Sequence, residues 1–296
     1  MAQPLVSVII PAYNHERFVG PAVQSVLGQT LGDLELIVVD DGSTDGTGAV
    51  VQAIRDPRLQ YHHQANADAF NALNAGLARA RGNYVAILNS DDLYHPDRLA
   101  RLVEASRKQG AACVFSDVRI IDDQGAEIVP GSHYWHTWHQ RNREFYRTHG
   151  DLYATFLRGN LMVSTSNLFM TREACTKVGT FAPLRYLHDY DYIFRMMLAY
   201  PGGVHYLSDH VLLDYRIHGG NTLKAGAVRA RVEDQQVIRR YLLADLPAAR
   251  HLRVETGVDR LLELQVELGQ VRKALRWGRW KPILDVMYRA TLGRSS

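Results

Sequence analysis

Two acidic doublets stand out, each placed at the carboxyl end of a short apolar run: Leu36-Ile-Val-Val-Asp40-Asp41-Gly-Ser-Thr-Asp45-Gly46 and Tyr84-Val-Ala-Ile-Leu-Asn89-Ser90-Asp91-Asp92. Carboxylates crowded together repel one another, so such pairs make chemical sense where a divalent cation or sugar hydroxyls join them. The apolar runs are β-branched and bounded by turn residues, which reads as buried strands of a parallel sheet. In open sheets of that kind ligands bind just beyond the carboxyl ends of the strands. The plain alternative for Asp91 and Asp92 is a solvated turn ahead of the helix at Pro96, with Asp92 as a cap. For Asp40, Asp41 and Asp45 it is a calcium loop; that loop needs a preceding helix, whereas Leu34 to Val39 reads as strand.

The elements that would position these acids alternate. Strand patterns fall near 6–10, 34–39, 58–62, 83–88 and 112–117, with helical patterns near 16–28, 45–54, 68–80 and 97–108. This is the signature of an α/β fold, a mostly parallel sheet covered by helices on both faces. Residues 118–130, with Asp122-Asp123-Gln124-Gly125, read as a hairpin, and 132–149 carry no clear period. Helices are expected at 151–158, 171–178 and 187–199, and a strand at 164–170; after Thr222 the chain turns charged and helical.

Composition narrows the classes. The 296 residues, 46% hydrophobic, suffice for one large core or a core with an appendage. A net charge of +3 without clustered Lys/Arg in the first two-thirds argues against a nucleic-acid partner. Cys113 and Cys175 alone cannot build a disulfide framework or a structural zinc site, and a reducing cytosol fits. The N-terminus lacks a signal-peptide pattern and no apolar run is long enough to span a bilayer, so a soluble or peripheral cytoplasmic protein is expected.

Joined to the opening run Val6-Ser-Val-Ile-Ile-Pro11-Ala12-Tyr13-Asn14, the doublets resemble the family 2 glycosyltransferases, whose fold is GT-A. The order is the family's own. An Asp-Asp-Gly-Ser-Thr-Asp turn is followed by a Gly-bearing helical stretch and an Asn-Ser-Asp-Asp motif. Then come His188-Asp189-Tyr190-Asp191, where the family usually has Glu-Asp, and Tyr215-Arg216-Ile217-His218-Gly219-Gly220-Asn221-Thr222. The resemblance covers residues 5 to 222. It implies a catalytic domain over 1–225, with a nucleotide-sugar half (1–117) and an acceptor half (118–225), and a helical extension over 226–296.

The resemblance also implies a chemistry: a sugar leaves a nucleotide-sugar donor, most commonly a UDP-sugar, for a glycan or lipid-linked acceptor. Mn²⁺ or Mg²⁺ neutralises the departing diphosphate. By resemblance Asp92 is the metal ligand and Asp91 contacts the ribose. Asp40 receives the base's N–H, Pro11, Ala12 and Tyr13 line the base with Asn14 beside them, and His218 completes the metal or diphosphate shell. Asp189, at the head of an apolar helix, is the expected general base for an inverting attack; its plain alternative is an N-cap, and Asp191 is the second candidate. His188 departs from the family's Glu. Leu73 stands where many members have Arg, which removes one cationic contact to the donor; Asp68 and Asn71 read as donor-side polar contacts or as a solvated helix N-terminus, and Gly76 as allowing close helix packing.

Other features are open to two readings. His133, His136 and His139 lack a carboxylate or Cys nearby, which disfavours zinc. Tyr134, Trp135 and Trp138 fit an acceptor-facing lid, or else pack on the sheet; Ser166 and Asn167 are weaker acceptor-side candidates. A nucleotidyltransferase would need a Gly-rich basic phosphate loop after the first strand, and a nicotinamide enzyme its own glycine fingerprint; neither is present. A catalytically dead sugar-nucleotide binder is disfavoured by the joint presence of Asp40, Asp91, Asp92 and Asp189. In the tail, Leu261, Leu264, Leu268, Val271 and Leu275 form a seam, followed by Arg272, Arg276 and Arg279 beside Trp277 and Trp280. Such a tail suits the inner face of an anionic membrane, pairing with a second copy, or packing on its own catalytic domain.

Overall fold

A computed structural model describes residues 3–219 together with Glu233, Gln236, Val237, Arg240 and Tyr241. The chain divides into two compact units, Met1–Val237 and Ile238–Ser296. The expectations for the leucine seam, the Arg/Trp tail and the Asn221-Thr222 end of the last motif lie outside the described residues. No described helix is long and apolar enough to cross a membrane.

The β-branched runs become strands with nearly every residue buried: β1 (Val6–Ala12), β2 (Leu34–Asp40) and β4 (Tyr84–Ile87). Burial on alternating sides requires cover on both faces. That cover comes from α1 (Val19–Leu27), α2 (Thr47–Ala53), α3 (Ala69–Arg79) and α4 (Arg98–Gln109). α3 packs against β1 at Gly76, where an added Cβ would lie 2.3 Å from Ile9 Cγ2. The glycine is thus the condition for close approach, in line with the sequence reading.

Among the described residues the sheet has eight strands in the order β3-β2-β1-β4-β7-β6-β8-β5. The added strands are β3 (Leu59–His63), β5 (Leu93–Tyr94), β6 (Cys113–Ile121), β7 (Phe169–Thr171) and β8 (Val204–Arg216). β3, β2, β1 and β4 run parallel, as does β8 on β6; β7 is antiparallel to both its neighbours and β5 to β8. The sheet is therefore mostly parallel, as expected, with two short reversed strands.

Three segments differ from expectation. Residues Tyr134–His149, without apparent period in sequence, form the sixteen-residue helix α5. Its buried stripe is Trp135, His139 and Asn142, spaced by four and three; two of these are polar, so a hydrophobic pattern could not reveal it. The His133 ring accepts the Trp135 N–H at 3.2 Å at one end, and Gly150, with φ +67°, ends the helix. Second, β8 was not anticipated, because charged and polar residues interrupt its apolar ones. Third, the strand expected at 164–170 is a 3₁₀ turn, Thr165–Asn167, leading into β7. α6 (Leu152–Arg158), α7 (Arg172–Val178) and α8 (His188–Ala199) fall where expected. The 118–130 hairpin is present, closed by the Ile121–Glu127 bridge.

Candidate active site

Because β2, β1 and β4 are adjacent and parallel, their carboxyl ends open on one side of the sheet, with Ala12 paired to Asp40. Asp40 accepts the Ser43 N–H (2.9 Å), the Tyr61 hydroxyl (2.6 Å) and contacts His63 Nδ1 (3.3 Å). Burial works to raise its pKa, but these partners outweigh it and hold the carboxylate below the ordinary aspartate value. The turn needs Gly42, at φ +75°, where a Cβ would meet the Asn66 backbone nitrogen at 2.7 Å. Asp41 is tied to Gln64 Nε2 (2.7 Å) and the Ala67 N–H (3.0 Å).

Of the residues expected around the base, the Tyr13 ring is 48% exposed at the end of β1, whereas Ala12 is buried beside it. Asn14 braces the two loops: its Oδ1 accepts the Thr44 N–H at 2.8 Å and its own N–H donates to Ser43 Oγ at 2.9 Å. Asp68 forms an ion pair with Arg185 at 3.7 Å, and the Asn71 amide bonds back to the Ala67 carbonyl, so neither is drawn into the acidic cluster.

The two aspartates of the second doublet differ in their surroundings. Asp92 is fully buried; Oδ1 accepts the Arg216 N–H (2.8 Å) and Oδ2 the Ser166 hydroxyl (2.5 Å). Burial first, then the neighbouring Asp91 charge, push its pKa well up. Asp91, by contrast, meets His218 Nε2 at 3.0 Å. Burial would raise its pKa, yet the His218 hydrogen bond and the charges of His15 and His218 outweigh it and keep it low. One donor atom each from His15, Asp91 and His218 lies within 4.8 Å of the others. Asp91 thus stands in the His/Asp cluster, while Asp92, expected as the ligand, accepts a hydrogen bond at each oxygen.

His15 was not among the expected site residues. Its Nδ1 lies 2.7 Å from Ser90 Oγ, its N–H donates to Thr47 Oγ1 (2.8 Å), and its ring stands edge-on to those of Phe18 and His218. With Nδ1 held by a hydroxyl, the other ring nitrogen is the one available for a ligand. The only signal for it in sequence is its place at the end of β1, beside the end of β4.

Asp189 lies in the first turn of α8 and is buried. It is not the cap: the Glu233 carboxylate accepts the N–H groups of Arg185 (3.0 Å), Tyr186 (2.8 Å) and Leu187 (3.1 Å) just ahead of the helix. Asp189 instead accepts Asn160 Nδ2 at 3.0 Å and the Tyr190 N–H at 2.8 Å. Burial raises its pKa above the ordinary aspartate value, opposed by the His188 charge. Asp191, the second candidate, pairs with Arg195 at 2.8 Å on its own helix.

Tyr215 lies on β8. Burial, then the charges of Asp92, Asp91 and Asp189, push its hydroxyl pKa up, so all three carboxylates bear on this one side chain. Its ring stacks on Trp135 of α5, with centroids 6.3 Å apart and planes at 20°. Ser166 and Asn167 are both fully buried. Asn167 Oδ1 accepts from the buried Arg98 (3.0 Å) and Asn167 Nδ2 donates to the Ser116 carbonyl (2.8 Å), bracing the sheet.

A mostly parallel sheet with acidic turns after β2 and β4, on either side of β1, a His/Asp cluster and a buried carboxylate in the first turn of α8 accord with a GT-A glycosyltransferase. The chain belongs to the glycosyl transferase family 2, whose description matches residues 7–178. It is 32% identical over 228 residues to an uncharacterized glycosyltransferase of Nostoc sp., covering 75% of this chain and 67% of that one. It is 39% identical over 131 residues to the chondroitin synthase of Escherichia coli, covering 43% of this chain but 19% of that longer one. Among solved structures it is similar to Staphylococcus aureus TarS in complex with UDP-GlcNAc: TM-score 0.62, 18% identity, 84% of this chain and 70% of that one. It is also similar to the Pyrobaculum calidifontis mannosyltransferase PcManGT in complex with GDP-Man and Mn²⁺: TM-score 0.61, 19% identity, 100% and 82%. At these identities the structural likeness speaks for the fold.

Proposed function

We propose that this family 2 glycosyltransferase moves a sugar from a nucleotide-sugar donor, a UDP-sugar in the first instance, to a glycan or lipid-linked acceptor with inversion of the anomeric carbon. The observation that carries this reading is the His15–Asp91–His218 cluster at the strand ends. One carboxylate and two imidazoles suit Mn²⁺ better than Mg²⁺, which prefers oxygen ligands and keeps its waters. When bound there, the cation offsets the charge that builds on the diphosphate leaving group. TarS with UDP-GlcNAc and PcManGT with GDP-Man and Mn²⁺ support a donor and a metal of these classes.

The chain's own groups supply the rest. The exposed Tyr13 ring and the Asp40 carboxylate hold the base, with Asn14 keeping the loops together. Asp189 takes the proton of the attacking acceptor hydroxyl. Its raised pKa makes it a stronger base than a solvated aspartate, and Asn160 orients it. A single in-line displacement assisted by one base inverts the sugar carbon. We assign donor binding to residues 1–117, completed by His218, and acceptor binding to the rest of 118–225.

A thermal-shift screen of nucleotide sugars with and without Mn²⁺ tests the reading. One donor should stabilise the protein by about 2.7 kcal/mol at a hundredfold excess over its Kd, and only with the cation. NMR of the product should show the inverted anomer; a retained anomer would overturn the single displacement.

A further inference from the structure

We propose that the pocket on α5 is an acceptor subsite for an anionic sugar unit, such as a uronic acid. It is an open depression of roughly 450 Å³ lined by Tyr134, Thr137, Trp138, Arg141, Asn142 and Arg158. That lies within the range of about 300–1,000 Å³ typical of small-molecule sites.

Three properties of the lining select the ligand class. Tyr134 is 78% exposed and Trp138 36%, so two flat faces are offered to solvent although their neighbour Trp135 is buried. Aromatic faces of this kind stack on the C–H side of a sugar ring. Neither Arg141 nor Arg158 makes an ion pair with a carboxylate among the described residues. Arg143 on the same helix, by contrast, is bound to Asp117. Arg158 is held by its stacking over the Phe145 ring at 5.1 Å. None of the six lining residues is acidic, so the two arginines have no carboxylate beside them in the lining, which fits a carboxylate ligand. Finally, Asn142 is 2% exposed and its Nδ2 has no hydrogen-bond partner among the described residues. Asn142 lines the pocket, and a buried amide left unpaired is costly, so a small side-chain movement that brings Nδ2 to a bound oxygen would be favourable.

The position fits an acceptor chain. Tyr134 adjoins Trp135, whose ring stacks on Tyr215 of β8, and the next residue, Arg216, binds Asp92 through its N–H. This run of contacts joins the helix that carries the pocket to the acidic strand end, the direction an acceptor chain would take away from the transfer site. The assignment of the pocket to the acceptor rests on the glycosyl-transfer reading above; the binding itself does not.

The test is direct binding to the full chain by calorimetry, with neither donor nor cation present. The probes are hexagalacturonate, a hyaluronan hexasaccharide, neutral maltohexaose and inorganic phosphate. At least one acidic hexasaccharide should bind saturably, more weakly as salt rises, and more tightly than maltohexaose. Trp138→Ala, Arg141→Gln and Arg158→Gln should each weaken it about tenfold, with melting temperatures that stay close to the parent; Arg141→Glu should abolish it. Equal binding of maltohexaose, displacement by phosphate at similar concentration, or no acidic preference would each overturn the proposal. Absence of glycosyl transfer with acidic binding intact would count against the mechanism and leave the pocket standing.

Discussion

The backbone N–H of Arg216 donates to the Asp92 carboxylate at 2.8 Å, so the end of β8 is fastened to the acidic turn after β4 across 124 positions of sequence. With Ser166 on the other oxygen, Asp92 is a clamp that sets His218, two residues past Arg216, against Asp91. Asp92→Asn keeps one acceptor for the Arg216 N–H and relieves a buried charge, so it should fold and retain most of its Mn²⁺ affinity. Asp91→Asn should lose more than the roughly 10- to 100-fold that follows loss of an outer-shell partner. Mn²⁺ titration followed by electron paramagnetic resonance separates the two; the opposite ranking would return the ligand role to Asp92.

Asp189→Asn should cut transfer by roughly 10²- to 10⁴-fold, the usual contribution of a general base, while nucleotide binding persists. The pH profile follows from the raised pKa. The acid limb of kcat should have its midpoint above the ordinary aspartate value of 3.8. Stability should move the other way. A folded-state pKa above the unfolded one means that the ionised carboxylate costs stability at neutral pH, and the cost fades as pH falls through the folded-state value. The Asn variant should therefore melt above the parent at pH 7 and converge with it in acid.

His15→Ala should weaken Mn²⁺ more than Mg²⁺, because an imidazole nitrogen adds more to the softer ion. Competition between the two cations, read by calorimetry on the variant and the parent, checks this. Equal losses for both would make His15 a brace for Ser90 and no ligand.

Gly76→Ala should destabilise the domain by about 1–3 kcal/mol, the usual cost of overpacking a filled core. The added methyl would lie 2.3 Å from Ile9 Cγ2, and β1, fully buried there, has nowhere to move. Denaturant unfolding at constant m-value gives the number; an unchanged midpoint would show that α3 can shift away from the sheet.

The acidic strand ends were legible because their signals are local. Asp40, Asp91 and Asp92 each sit at the end of an apolar run, and that alone puts them at strand ends on one side of a parallel sheet. Asp189 was legible for a similar reason, as an acid opening an apolar helix. The helix α5 was not, because its buried stripe of Trp135, His139 and Asn142 is mostly polar and shows no hydrophobic period. Nor could sequence decide between the neighbours Asp91 and Asp92. Both are aspartates at the same turn, and what separates them is the approach of β8, which brings a backbone N–H to one and an imidazole to the other. His15 joined the cluster for the same reason: it is 76 positions from Asp91 in sequence, and the pairing of β1 with β4 makes them neighbours. Residue type and local pattern determine which groups can do chemistry. Which of them meet depends on long-range pairing of strands, whose hydrogen bonds carry no residue signature.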